Sequence, residues 1–332
     1  MSGGIAQLVA IGAQDAHLVG QPEVSFFRSN YKRHTNFAQT VERQVVQGNP
    51  ASGGMSTIRF ERKGDMLGYV YVASRANATA NLKNYVSKVE LLIGGQVIDT
   101  QESEFMTDLA PVVMNQTNSK QDYNATTDYY VPLRFSFCEN AQSALPLIAL
   151  QYHDVELRIT WGALTVTDME VYAQFIHLDT EERTSMSSTP QNMIITQTQK
   201  AIASKSSTQE LSFNHPMKYL VVKNSGPGAL TTAKMKLQIN GTDVSDAKSV
   251  RPHFTYTPVY YHTQNATASN DVILVPFCLD TSKLQPTGSL NFSRLDSARL
   301  VIEGDTFEDN VYGVNYNILR IENGMGGLMY SN

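Results

Sequence analysis

Seven histidines are the side chains of this 332-residue chain best suited to bind a metal or to transfer a proton near neutral pH. A zinc or iron site usually takes two of its ligands from a short motif such as His-x-His, His-x-x-x-His or Cys-x-x-Cys. None of these spacings occurs here, so we predict no metal site, with a site assembled from distant residues as the alternative. A metalloenzyme of the all-β cupin type would need such clustered ligands. The histidines are His17, His34, His153, His177, His215, His253 and His262.

Motifs for nucleophilic catalysis and for phosphate binding are also missing from the sequence. It has no Gly-x-Ser-x-Gly elbow, no Walker-type loop and no Gly-x-Gly-x-x-Gly. Gly-Met-Gly-Gly at 324–327 lacks the Lys-Ser/Thr of a phosphate loop, so we interpret it as a flexible, closely packed tail. His153 and Asp154 could form an acid–base pair, but neighbouring residues of a strand point to opposite faces. We interpret both as turn residues where a strand begins, and predict no catalytic residue, no cofactor-binding residue and no enzymatic activity.

One short cluster mixes cations with aromatic rings, a combination that can contact the phosphates of nucleic acids or lipids. The formal net charge of the chain is −5, which argues against a general attraction to polyanions. We therefore favour a structural role, in which the rings anchor an N-terminal arm and the cations lie at its rim. No sequence-specific nucleic-acid binding is expected. The cluster consists of Phe26, Phe27, Arg28, Tyr31, Lys32, Arg33 and His34.

The composition favours strands and turns over helices. Only 17% of the residues are charged, and short apolar runs are separated by turn signals about every 8–14 residues. No apolar stretch approaches the ~20 residues of a membrane-spanning helix, and the opening residues lack the basic start of a secretory signal. Cys138 and Cys278 are too few for a disulfide framework, so we predict buried thiols in a reducing compartment.

Alternating and β-branched runs mark the strongest predicted strands, and together they indicate an all-β sandwich or barrel. Two of these runs flank Gly94-Gly95, a pair that accepts the positive φ of a hairpin turn. Residues 103–114 instead predict a helix whose length Pro111 limits, and residues 1–24 predict an arm with one or two helical turns. The predicted strands lie within 56–60, 69–73, 86–93, 97–99, 131–138, 155–161 and 170–178.

Three sequence matches recur in the same order about 140–146 residues apart, which indicates an internal repeat. The matched pairs are 91–98 with 237–244, Phe137-Cys138 with Phe277-Cys278, and 155–159 with 298–302. Two related β domains in tandem are therefore predicted, divided by a polar stretch. The expected division is an arm at 1–24, a first domain at 25–185, a linker at 186–207 and a second domain at 208–332.

Longer motifs run through the chain from end to end. They include Gly12-Ala-Gln-Asp15, Ser25-Phe-Phe-Arg28, Tyr31-Lys-Arg-His-Thr-Asn-Phe37, Pro132-Leu-Arg-Phe-Ser-Phe-Cys-Glu-Asn140, Ala144-Leu-Pro-Leu-Ile-Ala-Leu-Gln-Tyr-His153, Leu178-Asp-Thr-Glu-Glu-Arg183, His215-Pro216, Tyr312-Gly-Val-Asn-Tyr-Asn-Ile-Leu-Arg320 and Gly324-Met-Gly-Gly-Leu-Met-Tyr-Ser-Asn332. In these residues, and in their order, the chain resembles the major capsid proteins of large nucleocytoplasmic DNA viruses such as phycodnaviruses and iridoviruses.

The resemblance implies a double jelly roll, that is, two tandem eight-stranded jelly-roll β-sandwiches with an N-terminal arm and few short helices. It further implies a structural major capsid protein whose homotrimers form pseudo-hexagonal capsomers that tile an icosahedral shell. The implied partners are neighbouring capsomers, minor capsid proteins and penton proteins, and the arm is the part that would reach the internal viral membrane. The implied location is the virion, after synthesis and assembly in the host cytoplasm.

The chain is shorter than many members of the family it resembles. Length variation in that family lies mainly in outward loops, so we expect a low outer surface with few insertions. Two alternatives stay open: a minor capsid protein, and a jelly-roll protein that binds host glycans.

Overall fold

A computed structural model describes residues 12–21, 33–74, 85–114, 130–163, 169–223, 232–264, 272–283 and 285–331. The chain divides into two compact units, Met1–Asn36 and Phe37–Asn332. In the first unit, a 3-10 turn at Ala13–Asp15 leads into one helical turn at Ala16–Val19, in agreement with the predicted helical turns. Residues 1–11 of the predicted arm lie outside the described residues. Within the described ranges, no helix is long and apolar enough to cross a membrane.

The second unit begins with ten strands that form two antiparallel sheets. The strands are β1 (Phe37–Gln44), β2 (Val46–Gln47), β3 (Met55–Arg59), β4 (Met66–Ser74), β5 (Val86–Ile93), β6 (Gln96–Glu102), β7 (Tyr130–Pro132), β8 (Leu145–Pro146), β9 (Val155–Trp161) and β10 (Met169–Leu178). Sheet A has the order β1-β10-β4-β7, and sheet B has the order β2-β3-β9-β5-β6. When the two-residue strands β2 and β8 are left out, the remaining eight strands can be numbered from one to eight along the chain. The first, eighth, third and sixth of them form sheet A, and the second, seventh, fourth and fifth form sheet B. This is the arrangement of a jelly roll.

The remaining strands repeat this arrangement. They are β11 (Gln191–Ala201), β12 (Thr208–Glu210), β13 (Pro216–Lys223), β14 (Lys234–Ile239), β15 (Thr242–Asp243), β16 (Lys248–Ser249), β17 (Val272–Pro276), β18 (Leu290–Asn291), β19 (Ala298–Glu303), β20 (Val311–Glu322) and β21 (Met325–Leu328). Sheet C has the order β11-β20-β13-β17, and sheet D has the order β12-β19-β14-β15. The predicted all-β double jelly roll is therefore confirmed.

The internal repeat has a structural counterpart in each of its three matches. The hairpins β5–β6 and β14–β15 are the fourth and fifth strands of their jelly rolls, and β9 and β19 are the seventh. Phe137-Cys138 and Phe277-Cys278 each follow the sixth strand. The turn at Gly94-Gly95 has φ values of 57° and 81°, as its glycines predict.

Short helices connect the strands, and two sets of them occupy equivalent places between the fifth and sixth strands. The first connecting segment (residues 103–114) contains a π-helical turn at Phe105–Leu109 and a helical turn at Ala110–Val113. The second connecting segment (residues 250–264) contains helices at Val250–His253 and Tyr256–His262. The other helices are Ser136–Glu139 and Thr180–Ser188, with 3-10 turns at Ala141–Ser143, Leu147–Ala149 and Phe292–Arg294.

The core of the first jelly roll shows why the alternating segments become strands. Along β9, residues Val155 to Trp161 alternate between buried and half-buried, because every second side chain enters the space between sheets A and B. Trp161 is fully enclosed, and its indole N–H donates a 2.9 Å hydrogen bond to Ser56 Oγ. The polar atom of this large ring is thereby satisfied within the core.

Three local predictions are corrected by the structure. The stretch 186–207 is not mainly a linker, because residues 191–201 form β11, which pairs along its whole length with β20. The predicted strand at 131–138 ends at Pro132, and residues 136–139 turn into a helix. The tail at 324–327 is closely packed but not flexible, since residues 325–327 belong to β21 and a Cβ on Gly326 would lie 2.6 Å from Leu150 Cδ2.

Candidate functional site: the outer faces of sheets A and C

The residues singled out for chemistry do not converge on one site. In the described ranges, no group of three His, Cys, Asp or Glu side chains is placed to hold a metal. His153 Nδ1 lies 2.8 Å from the carbonyl oxygen of Gly326, whereas Asp154 pairs with Arg59 at 2.6 Å. The two side chains thus have separate partners, and both residues lie directly before β9, which begins at Val155.

The two cysteines are separate free thiols. Cys278 is buried as predicted, whereas Cys138 is half-buried. Burial of its sulfur raises the pKa of Cys138 to about 12, so this thiol stays protonated and unreactive at neutral pH. Of the basic and aromatic cluster, only Arg33 and His34 lie among the described residues, and both are exposed. The proposed anchoring by its rings stays a prediction.

Sheet C is buried on both of its faces. On β13, Leu220 and Val222 enter the core of the second jelly roll, while Tyr219 and Val221 belong to the core cluster of the first. All four side chains are almost completely buried. The outer face of sheet C is therefore an internal contact surface, and we call the contact between the two jelly rolls the seam.

The first connecting segment covers this face of sheet C. Its Phe105 is fully buried, with the ring centroid 5.7 Å from that of Tyr312 on β20. At its middle, Asp108 pairs with Lys223 at 2.6 Å, and this hydrogen bond raises the pKa of the lysine. At its end, the carbonyl oxygen of Val113 accepts a 2.7 Å hydrogen bond from the hydroxyl group of Thr281. Polar contacts thus flank the apolar packing between the first connecting segment and sheet C.

Carboxylates of the first jelly roll add further polar contacts to the seam. The Tyr312 hydroxyl shares its single hydrogen between two carboxylate acceptors, Glu102 Oε2 at 3.0 Å and Glu104 Oε2 at 2.9 Å. Lys200 on β11 reaches Glu102 at 2.7 Å. Burial, together with the two negative charges, raises the pKa of Tyr312 well above its usual range. The phenol therefore stays a hydrogen-bond donor at all physiological pH values.

A buried carboxylate also lies at the seam. Asp99 on β6 accepts hydrogen bonds from the backbone N–H of Thr198 at 2.8 Å, from that of Thr100 at 2.9 Å and from Gln101 Nε2 at 2.9 Å. Burial raises the pKa of Asp99 to about 7, although these three hydrogen bonds act in the opposite direction. Beside it, Gln197 donates to the carbonyl oxygen of Ile98.

The outer face of sheet A is open, in contrast to that of sheet C. It carries an aromatic group in which the Tyr71 ring lies 5.3 Å from Tyr172, 5.8 Å from Tyr130 and 6.4 Å from Tyr69. Tyr69 and Tyr130 are 42% and 41% exposed. Unlike the rings at the seam, Tyr71 and Tyr172 are only half-buried.

A groove with a volume of about 700 Å³ runs along this face. Its walls come from β4, from β7 and from the residues that follow β7, and they are mainly apolar. Cys138 and Glu139 also line it, from the helix that follows the sixth strand. The lining includes Gly68, Tyr69, Tyr71, Tyr130, Pro132, Leu133, Phe137, Ala141 and Gln174.

The second connecting segment presents a further exposed aromatic surface. Its helix Tyr256–His262 buries Pro258 and Val259. Tyr260 and Tyr261, by contrast, are 79% and 71% exposed, and their rings meet edge to face at 5.0 Å. Sequence reasoning did not single out these tyrosines, although Tyr-Tyr on a short helix is an available signal for a contact surface.

Known proteins are similar to this chain over its whole length. The sequence profile described as major capsid protein N-terminus matches residues 25–223, and that described as large eukaryotic DNA virus major capsid protein matches residues 221–327. The major capsid protein of Pyramimonas orientalis virus is 32% identical, and that of Paramecium bursaria Chlorella virus 1 is 31% identical. Both alignments cover 100% of this chain and 100% of the relative.

A solved capsid structure shares the fold. The chain superimposes on the protein in the quasi-atomic model of the PBCV-1 virus capsid with a TM-score of 0.79 and 27% sequence identity. The match covers 93% of this chain and 100% of the other. Similarity in sequence and in fold thus extends over both jelly rolls.

Proposed function

The chain belongs to the family of large eukaryotic DNA virus major capsid proteins, and on this premise we propose that three copies associate into a capsomer with six jelly rolls. Its role is structural, as in the capsid proteins it resembles, and it is a component of the virion capsid. The capsomers would have a pseudo-hexagonal outline and would tile an icosahedral shell. The observation that carries the proposal is the end-to-end match to a solved capsid protein over two complete jelly rolls.

The fold supports this role physically. Each jelly roll buries one face of each sheet against the other, which leaves rigid bodies with broad lateral surfaces. Many modest contacts between such surfaces, multiplied by symmetry, can hold a shell together without one very tight site. The division into an arm and two domains, and assembly in the host cytoplasm, are part of the proposal.

Neighbouring capsomers, minor capsid proteins and penton proteins are the proposed partners, and the arm is the proposed contact with the internal viral membrane. A minor capsid role and host-glycan binding are the alternative functions. Binding of the purified chain to a glycan array would favour the second alternative. Its position in a particle, seen by electron microscopy, would separate the major from the minor role.

The mass of the protein in solution tests the trimer directly. We expect a stable species of about three times 36.8 kDa by light scattering coupled to size-exclusion chromatography. The exposed tyrosines of sheet A and of the second connecting segment would be costly to leave in water on a monomer. A chain that stays monomeric at micromolar concentration would contradict the proposal.

Removal of residues 1–24 is expected to leave a folded trimer while impairing assembly beyond the trimer. The reason is that the first compact unit, Met1–Asn36, lies outside the strands of both jelly rolls. Circular dichroism and light scattering would measure folding and trimer mass, and electron microscopy would measure assembly. A truncated chain that does not fold would place the arm in the core instead.

A further inference from the structure

A small polar pocket lies at the seam, between the outer face of sheet C and the first jelly roll. It has a volume of about 50 Å³. Lys218 and Tyr219 of β13 and Tyr316 of β20 line it from sheet C. We infer that these three side chains bind one small monovalent anion such as chloride. The inference concerns a contact within one chain and does not depend on the proposed trimer.

A bulge in β13 brings two successive residues, Lys218 and Tyr219, to the same pocket. Side chains of successive strand residues normally point to opposite faces of a sheet. Met217 lies opposite Asn315 on β20. The next pair is Tyr219 with Val314, so one residue of β13, Lys218, has no counterpart on β20. Because such a bulge re-aims a side chain, the lysine and the tyrosine can act on one ligand.

The ammonium group of Lys218 is buried without a carboxylate beside it. The residue is 6% exposed, and its Nζ donates a 3.3 Å hydrogen bond to the carbonyl oxygen of Lys283. The same nitrogen lies 5.7 Å from the centre of the Tyr316 ring. Among the described residues, no carboxylate oxygen lies within 4.0 Å of it. Burial of an unpaired charge is costly, and burial accordingly lowers the pKa of Lys218, an effect that a bound anion would oppose.

The charged groups around the pocket leave one positive charge without a match. Glu139 lines the pocket and pairs with Arg134 at 3.7 Å. Lys283 also lines it and pairs with Asp280 at 3.7 Å. Each of these carboxylates thus has its own cation, which limits the repulsion that it would exert on an anion, whereas Lys218 has no such partner. One monovalent anion would neutralise the group, while a divalent anion would leave an excess of negative charge in partly buried surroundings.

Two phenol groups supply further hydrogen-bond donors. The hydroxyl oxygens of Tyr219 and Tyr316 are buried, and neither has a hydrogen-bond partner in the described part of the chain. Tyr219 is fully enclosed. Buried polar groups in native proteins are nearly always paired, so two such hydroxyls in one pocket indicate a ligand that accepts hydrogen bonds. Burial raises the pKa of both phenols, which keeps them protonated and able to donate.

The size and the opening of the pocket limit what can bind. One water molecule takes up about 30 Å³ in the liquid, so about 50 Å³ gives room for a chloride ion but not for a nucleotide or a sugar. Ile194 and Lys283 line the pocket and are exposed, so an ion can enter from solvent on their side. Met114 and the helix Ser136–Glu139 contribute the wall from the first jelly roll. An ion bound here would therefore contact both jelly rolls and stabilise the seam.

The chloride dependence of unfolding tests this site in the full-length chain. Urea unfolding is measured at one protein concentration and at constant ionic strength, in sodium chloride and in sodium gluconate, whose anion is too large for the pocket. If the dissociation constant is near 50 mM, about 300 mM chloride should lower the equilibrium constant of unfolding about sevenfold relative to gluconate.

Substitutions at the pocket should abolish this difference between chloride and gluconate. One variant is Lys218→Met, which removes the charge, and the other combines Tyr219→Phe with Tyr316→Phe, which keeps both rings and removes both hydroxyls. Lys234→Met is the matched control and should keep the difference, because Lys234 is an exposed lysine on β14 of sheet D and does not line the pocket.

A bromide soak locates the ion directly. Bromide resembles chloride in charge and size and scatters X-rays anomalously. In a crystal of the unsubstituted chain, we expect an anomalous peak in contact with Lys218 Nζ and with at least one of the two phenol oxygens. A pocket without this peak, or an equal chloride dependence in the control and in both pocket variants, would show that water satisfies these groups and would overturn the inference. If a variant does not fold, the bromide peak in the unsubstituted chain decides between the two outcomes.

Discussion

Replacement of Phe105 by alanine is expected to lower the free energy of unfolding by about 3–5 kcal/mol. Phe105 is fully buried, and its ring faces Tyr312 across the seam. The substitution removes apolar burial and leaves a cavity between the first connecting segment and sheet C. Because the sheet is held rigid by hydrogen bonds on both sides of Tyr312, the cavity cannot collapse fully.

Urea unfolding at one protein concentration would measure this loss. Trp161 is the single tryptophan of the chain and is buried in the first jelly roll, so its fluorescence reports that jelly roll, while circular dichroism reports both. Phe37→Ala is the matched control, since Phe37 is 59% exposed on β1 and should change stability by only about 0.5 kcal/mol. A loss below about 1 kcal/mol for Phe105→Ala would show that the seam contributes little to stability.

Asp99→Asn is expected to stabilise the protein increasingly as the pH rises. The pKa of Asp99 is about 7 in the folded chain and 3.8 for an ordinary aspartate, so the folded protein holds a proton that the unfolded chain has released between these values. The stability linked to this group is therefore complete below about pH 4 and is lost as the pH rises towards 7. Asparagine, which does not titrate, removes that loss. We expect the stability difference between variant and original to grow by about 2–4 kcal/mol from pH 4.5 to pH 7.5.

Urea unfolding of both proteins at several pH values would measure this difference. Asp243→Asn serves as the control, because a hydrogen bond from Lys236 lowers the pKa of the exposed Asp243 carboxyl group. Because this pKa is lowered from 3.8, Asp243 is ionised in both the folded and the unfolded chain above pH 4.5, so the control should show almost no pH dependence in this range. A pH-independent difference for Asp99→Asn would mean that Asp99 is ionised in the folded protein throughout this range.

Local sequence patterns predicted the two tandem β domains well, because alternation is imposed by burial of one sheet face, whereas the jelly-roll arrangement was implied only by the family resemblance. The strands β9 and β10 and the Gly94-Gly95 hairpin were found for this reason. The alternation at 131–138 was misleading, since Leu133, Phe135 and Phe137 are all buried although the backbone leaves the sheet after Pro132. A pattern of burial alone does not report where the backbone turns.

The strand β11 was predicted to be part of a linker because its sequence is polar. Its polar groups are satisfied by tertiary contacts with the other jelly roll. Gln197 is almost completely buried and bonds to Ile98 of the other jelly roll, while the backbone of Thr198 bonds to Asp99. These polar groups are satisfied only by partners about a hundred positions away, which a local pattern cannot show.

The outer faces of sheets A and C were also missed, although one signal was present. The run from Met217 to Val222 is almost continuously apolar, a pattern typical of strands that are buried on both faces. The corresponding strand β4 alternates, since the side chains on its outer side are exposed or half-buried. Comparison of these two equivalent strands would have distinguished sheet C, which is buried on both faces, from sheet A, which is partly exposed on its outer face.

The order of the seam along the chain has a consequence for synthesis on the ribosome. Asp108 of the covering segment precedes its partner Lys223 by 115 residues. At the usual elongation rate of 5–20 residues per second, Asp108 emerges from the ribosome roughly 6–23 s before Lys223 on β13. The first connecting segment is thus synthesised before β13, so the surface that covers the apolar run of β13 is already present when this strand leaves the ribosome. Translation in this direction limits the time during which that strand could pair with another nascent chain.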